Sequence, residues 1–246
     1  MMTVKDKNKA NKLIEKALAK REELLKLKDR KGKNYFKSEA PPVLWFGNLN
    51  SEKPKVVVIS ANPNNPQRII KEVSVEEFNG YFKKNKVADW FGKKESDIKN
   101  GRIEDFLKGL GASFYDRGDD YDQAIHIDLL PFATTDSFKD IASELMEING
   151  LREYINEHIR ELIKLIKPKL VIINGVTNKD YFLECIETKQ IMEKEIDKPV
   201  KVTIWQYEDI NGAKVIAISR NMGSFCFVNK ETLYSIGEEE RKRLKL

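Results

Sequence analysis

"VVVISANPNN", residues 56–65, decides the fold: four apolar residues run without polar alternation into Ser60-Ala61-Asn62-Pro63-Asn64-Asn65. A short continuous apolar run fits a strand covered on both faces, the condition of a parallel sheet. Pro63 fixes its own φ and pushes Asn62 towards an extended conformation. Ser60 and Ala61 are small, so backbone can approach a ligand there. The stretch reads as a buried strand ending in a stiff turn that aims one carboxamide beyond the sheet. Asn-Pro also marks turns that carry no chemistry.

The other apolar runs extend this reading. "KLVIING" (169–175) is again continuous, and "AIHIDLL" (124–130), "VKVTIWQY" (200–207) and "KVIAIS" (214–219) supply further strands. The last two are joined by "EDINGA", where Asn211-Gly212 is a hairpin signal. Helical patterns lie between the strands. "SVEEFNGYFKKN" (74–85) opens on a Ser74…Glu77 capping box. "GRIEDFLKGLGASF" (101–114) repeats apolar residues at helical spacing. "ELMEINGLREYINEHIRELIKLIKP" (144–168) carries one long apolar stripe that ends at Pro168, and residues 229–246 read as a closing helix. Alternating strands and helices predict an α/β fold, a three-layer α/β/α sandwich with a short, mainly parallel central sheet. Pro41-Pro42 forbids helix before "VLWFG" (43–47), which reads as an edge strand or a packed plug.

The charge is unevenly placed. Residues 1–40 carry 13 Lys+Arg against 6 Asp+Glu, a net +7, while the whole chain is only +5. "NKLIEKALAKREELLKLKDRKGK" (11–33) places Leu13, Ala17, Leu24 and Leu27 near helical spacing, with Gly32 as its stop. It reads as a solvated helix packed by one apolar stripe, or as a phosphate-binding arm. The expected organisation is a basic N-terminal helix over 1–37 and a single α/β/α domain over 38–246. An insertion around 64–124, rich in Lys and aromatic residues, is a lid or a nucleic-acid contact. Two cysteines, Cys185 and Cys226, are too few for a disulfide framework and suit a reducing interior. No apolar run reaches the ~18 residues of a membrane span, and the N-terminus has no secretory pattern. The expectation is a cytoplasmic protein with no membrane partner, no metal and no cofactor.

In open α/β sheets, ligands collect beyond the carboxyl ends of the strands. After the first strand stand Ser60, Ala61, Asn62 and Pro63. Asp128 ends the second, either functional or bonded to backbone amides of the following loop. Phe132 then either stacks on a ligand ring or fills the core. "INGVTN" (173–178) reads as a tight strand-to-helix turn through Gly175 and Asn178. After the last strand, "SRNMGSF" (219–225) offers Arg220 and Asn221, while Gly223 and Ser224 present N–H groups suited to phosphate.

Together these loops resemble those of the uracil-DNA glycosylase superfamily over roughly residues 43–244. "SANP" looks like the family's first motif, with Asn62 in the catalytic position. "IHIDLLPFATT" resembles the strand that contacts the flipped base, "KPKLVIING" looks like the strand led by Lys-Pro, and "NMGSF" falls where the family enters the minor groove. The resemblance implies a uracil-DNA glycosylase-like fold, DNA as partner, and hydrolysis of an N-glycosidic bond. It implies Asn62 orienting water, Arg220 or Asn221 stabilising the leaving base, and a ring among Tyr81, Phe82 and Phe132 stacking on it. The family's iron–sulfur branches need four cysteines, which this chain lacks. Asp128, while ionised, accepts but cannot donate, which disfavours the O4 of uracil and favours an exocyclic amine. The alternatives are a non-catalytic nucleic-acid-binding module on the same fold and a nucleotide or nucleoside hydrolase.

Overall fold

The computed structural model describes residues 2–63, 72–83, 102–115, 120–196, 201–219 and 230–246. In chain order the elements are α1 (Val4–Leu24), β1 (Lys55–Ser60), α2 (Val75–Lys83), α3 (Arg102–Gly109), β2 (Ala112–Ser113), β3 (Asp122–Asp128) and α4 (Phe138–Met146). There follow α5 (Leu151–Ile166), β4 (Leu170–Asn174), α6 (Val176–Cys185), β5 (Gln190–Ile196), β6 (Val202–Ile210), β7 (Ala213–Ile218) and α7 (Lys230–Leu244). The strands make one sheet in the order β2-β3-β1-β4-β7-β6-β5. The first five are parallel, and β6 and β5 add an antiparallel edge. The fold is an α/β sandwich, as the apolar runs predict. Val56–Ile59 of β1 and all of β4 are buried. Alternate residues of a strand face opposite sides, so consecutive burial requires cover on both faces of the sheet.

The β6–β7 hairpin turns at Asn211-Gly212, both at positive φ (51° and 81°) as a type I′ turn demands. "VLWFG" is a plug: Val43 to Phe46 are buried, and Phe46 exchanges backbone hydrogen bonds with His126 on the outer side of β3. Asn79 of α2 secures it, its Oδ1 accepting from Trp45 Nε1 and from the Leu49 amide at 3.1 Å each. Ser74 caps α2 as expected, the Glu77 amide donating to its Oγ at 3.1 Å.

Two expectations need correcting. The first helix ends at Leu24, not near Gly32, because Asp29 organises its own turn. Its Oδ1 accepts from the amides of Lys31 and Lys33 at 2.8 Å each, and Lys28 bridges Asn34 across a small hairpin. α1 itself is packed by its apolar stripe, the first of the two readings: Ala10, Leu13, Ile14, Ala17 and Leu24 lie in the same core as the sheet. The stripe over 144–168 is two helices, α4 and α5, parted at Gly150 in the left-handed region (φ 73°).

α3 and α7 cross in direct backbone contact. A Cβ on Gly109 would lie 2.1 Å from the Tyr234 carbonyl oxygen, and one on Gly237 would lie 2.3 Å from that of Phe106. Gly237 stands in the interior of α7, where glycine costs about 1 kcal/mol in propensity, and Gly109 closes α3; this approach is what requires both.

Candidate active site

The chain passes from β1 to β3 on one side, then crosses to β4 on the other, so the sheet reverses direction of growth between β1 and β4. That reversal opens a crevice at the carboxyl ends of these strands. The turn after β1 lies there and is laced to the loop after β3. The Leu129 amide donates to the Ser60 carbonyl at 2.8 Å, and the Leu130 amide to that of Ala61 at 3.0 Å. Ser60, Ala61 and Asn62 are half-buried, and Pro63 is buried.

Asn62 is held by the second loop. Its Nδ2 donates to Thr134 Oγ1 at 2.9 Å and to the Phe132 carbonyl at 3.4 Å. Thr134 Oγ1 spends its own proton on the Asp136 carbonyl at 2.7 Å, so it accepts from Asn62. Both partners are acceptors, which fixes the carboxamide with nitrogen towards the loop. Oδ1 has no hydrogen-bond partner among the described residues and points away from the clamp.

Asp128 and His126 alternate along β3 and so share a face. Asp128 pairs in register with Ser60, and His126 with Val58. Both side chains are buried, and His126 Nε2 lies 3.0 Å from Asp128 Oδ1. The carboxylate's partner is thus an imidazole, not the backbone amides of the following loop. The His126 ring stacks on Phe46 at 4.7 Å between centroids. Asp128 Oδ2 is buried with no partner among the described residues. Oδ2 has a lone pair with which to accept one more N–H.

Phe132 is buried in a column of rings. Phe36 meets it edge-on at 6.1 Å, Tyr154 stacks on it at 5.7 Å, and His158 continues the stack at 5.6 Å. This column ties the site loop to α5 and occupies a face of Phe132. Gly175 (φ 98°) makes the expected tight turn into α6, its amide donating to the Ile218 carbonyl at 3.0 Å, with Asn178 donating to the Asn174 carbonyl.

The structure therefore brings Ser60, Ala61, Asn62, Pro63, Asp128 and Phe132 to one end of the sheet. Arg220, Asn221, Gly223 and Ser224 lie outside the described residues, as do Cys226 and the side chains of Tyr81 and Phe82 on α2. Thr134 and His126 were not among the expected site residues. His126 was legible in "HID", since two polar residues spaced by two on a strand share a face. Thr134 was not, because only the tertiary fold shows what it holds. Among the described residues no cluster of His, Cys, Asp and Glu has the makings of a metal site, and no helix is long and apolar enough to cross a membrane. Comparison with protein-family models and with curated proteins found no match for this chain.

Proposed function

We propose that this protein is a DNA glycosylase that hydrolyses the N-glycosidic bond of a deaminated base, with Asn62 positioning the attacking water. The observation that carries the reading is the clamped carboxamide. Asn62 stands at the carboxyl end of β1, beside the reversal of the sheet, with its nitrogen fastened and its oxygen left to accept from water. The resemblance of "SANP" and the other strand-end loops to the uracil-DNA glycosylase superfamily supports it.

In the proposed reaction the bond between C1′ and the base nitrogen breaks, and its electron pair leaves with the base. Water oxygen bonds to C1′, and the water's proton ends on the departing base. Asn62 cannot take that proton, because a carboxamide is not a base at neutral pH. Its contribution is orientation, which counts most when the bond to the base is largely broken before water attacks. Arg220 and Asn221 are the proposed partners of the developing negative charge on the base.

The test is incubation with single- and double-stranded oligonucleotides carrying uracil, hypoxanthine or xanthine, followed by alkaline cleavage of abasic sites. Cleavage lost in Asn62→Ala is the expected result. Intact strands with all three bases would overturn the reading. A second reading, a nucleic-acid-binding module on the same fold, is favoured by one observation: the bonds from Asn62 also brace the turn, a role that needs no reaction. DNA retained without excision would select it.

A further inference from the structure

We infer that the hairpin over residues 26–34 is the phosphate-docking element of the molecule, holding the backbone of a nucleic acid whose base lies at the Asn62 site. The inference rests on the nucleic-acid part of the proposed function and assigns that contact to a place other than the basic helix. Residues 26–37 contain six cations, Lys26, Lys28, Arg30, Lys31, Lys33 and Lys37, against the single carboxylate of Asp29. Their net +5 equals that of the entire chain, so all remaining residues together sum to zero.

Density of unpaired cations separates the hairpin from α1. On α1, Lys7, Lys16 and Lys20 are paired with Glu76, Glu157 and Glu23, and the exposed Lys5, Lys9 and Lys12, without an ion pair among the described residues, are spread over two turns of helix. In the hairpin Lys26, Lys28, Arg30 and Lys31 are exposed and have no ion pair among the described residues. The carboxylate of Asp29 is turned inward onto the amides of Lys31 and Lys33. The turn therefore exposes its cations and uses its one anion to hold its shape.

The hairpin is also fastened to the site. Phe36 pairs with Thr134, the residue that holds Asn62, and Phe36 is anchored against Phe132. The Thr135 amide and hydroxyl donate to the carbonyls of Tyr35 and Asn34 at 2.9 and 2.7 Å. Lys31 is five residues from Phe36, so the tip stands within about 17 Å of that pairing even at full extension. One strand of a duplex carries a phosphate every ~3.4 Å of axis, so this reach covers about five phosphates beside a base at Asn62. A polyanion with closely spaced charges, anchored by one base in the crevice, fits that placement.

The experiment measures binding of fluorescein-labelled single-stranded DNA, duplex DNA and RNA of one sequence between about 50 and 200 mM salt. The variants are K28Q/R30Q/K31Q in the hairpin and K5Q/K9Q/K12Q on α1. The hairpin variant should weaken binding at least tenfold and flatten the slope of log K against log salt by about three, one per lost phosphate contact. The α1 variant, losing the same charge, should change the slope by less than one, and K28R/K31R should bind as the parent does. Comparison of the DNA and RNA arms names the backbone. Equal losses in the two triple variants, salt-independent binding, or retention on phosphatidylserine vesicles with no oligonucleotide binding would overturn the inference. Absent excision with the hairpin effect intact would remove only the glycosylase reading, whereas excision and binding both indifferent to the hairpin variant would remove only this one.

Discussion

Asn62 has no charge to offer, so its worth to the proposed reaction lies in where its oxygen points. Thr134 sets that direction. Thr134→Val removes the acceptor for Nδ2 and should lower kcat by about 10–100-fold with little change in KM, the signature of a misplaced group. Thr134→Ser restores the hydroxyl and should recover most of the activity, which steady-state kinetics on the cleaved oligonucleotide would show. His158 governs a different property. It is buried at the end of the aromatic column, and burial pulls its pKa down to about 3 from the ordinary 6.5. The unfolded chain therefore binds a proton at this residue between those limits while the folded chain does not. Stability should fall as the pH drops through 6.5 towards 3, by at most about 1.4 kcal/mol per pH unit from this group. Urea unfolding of His158→Leu between pH 7 and 4 should show a visibly shallower loss than the parent.

Among the elements, the crossing of α3 and α7 depends most on single residues. Gly237→Ala gains about 1 kcal/mol of helix propensity but drives a methyl into the Phe106 carbonyl, so the helices must separate. The net expectation is a loss of about 2–3 kcal/mol, read as a lower urea midpoint at unchanged slope. Asn79→Leu should cost about as much or more, because it strands two buried donors, Trp45 Nε1 and the Leu49 amide, at roughly 1–3 kcal/mol each. Elements differed in how plainly the residues announced them. β1 and β4 were legible because their burial on both faces leaves no room for a polar residue. The β6–β7 turn was legible because Asn-Gly tolerates positive φ. β5 was not: "QIMEKEI" is an edge strand, half-covered, and its Lys and Glu side chains hide the strand period while discouraging pairing with another chain. The end of α1 was hidden too, since the charges continue past Leu24 and only the Asp29 side chain turns the backbone aside.

For the whole molecule, legibility followed the same division between what a segment does alone and what distant segments do together. The order of apolar runs was enough to predict a mainly parallel sheet with helices on both faces, because burial pattern and chain direction are local properties. The candidate site was legible on the β1 side, where Pro63 and Asn62 are neighbours in sequence. It was not legible on the side of Thr134, some seventy residues away. The charge followed the same course: composition located the basicity in the first forty residues, while only the fold shows that Lys7, Lys16 and Lys20 of α1 are paired and that Lys26, Lys28, Arg30 and Lys31 of the hairpin stand exposed. The crossing of α3 with α7 makes one further demand, on the order in which the molecule is made. Residues 102–109 and 230–244 meet at Gly109 and Gly237, so α3 must wait for more than a hundred residues to be translated. At about 5–20 residues per second that interval lasts roughly 7–27 seconds. For that time the nascent chain carries an apolar helix face without its cover, and a chaperone acting on the ribosome would meet this protein there first.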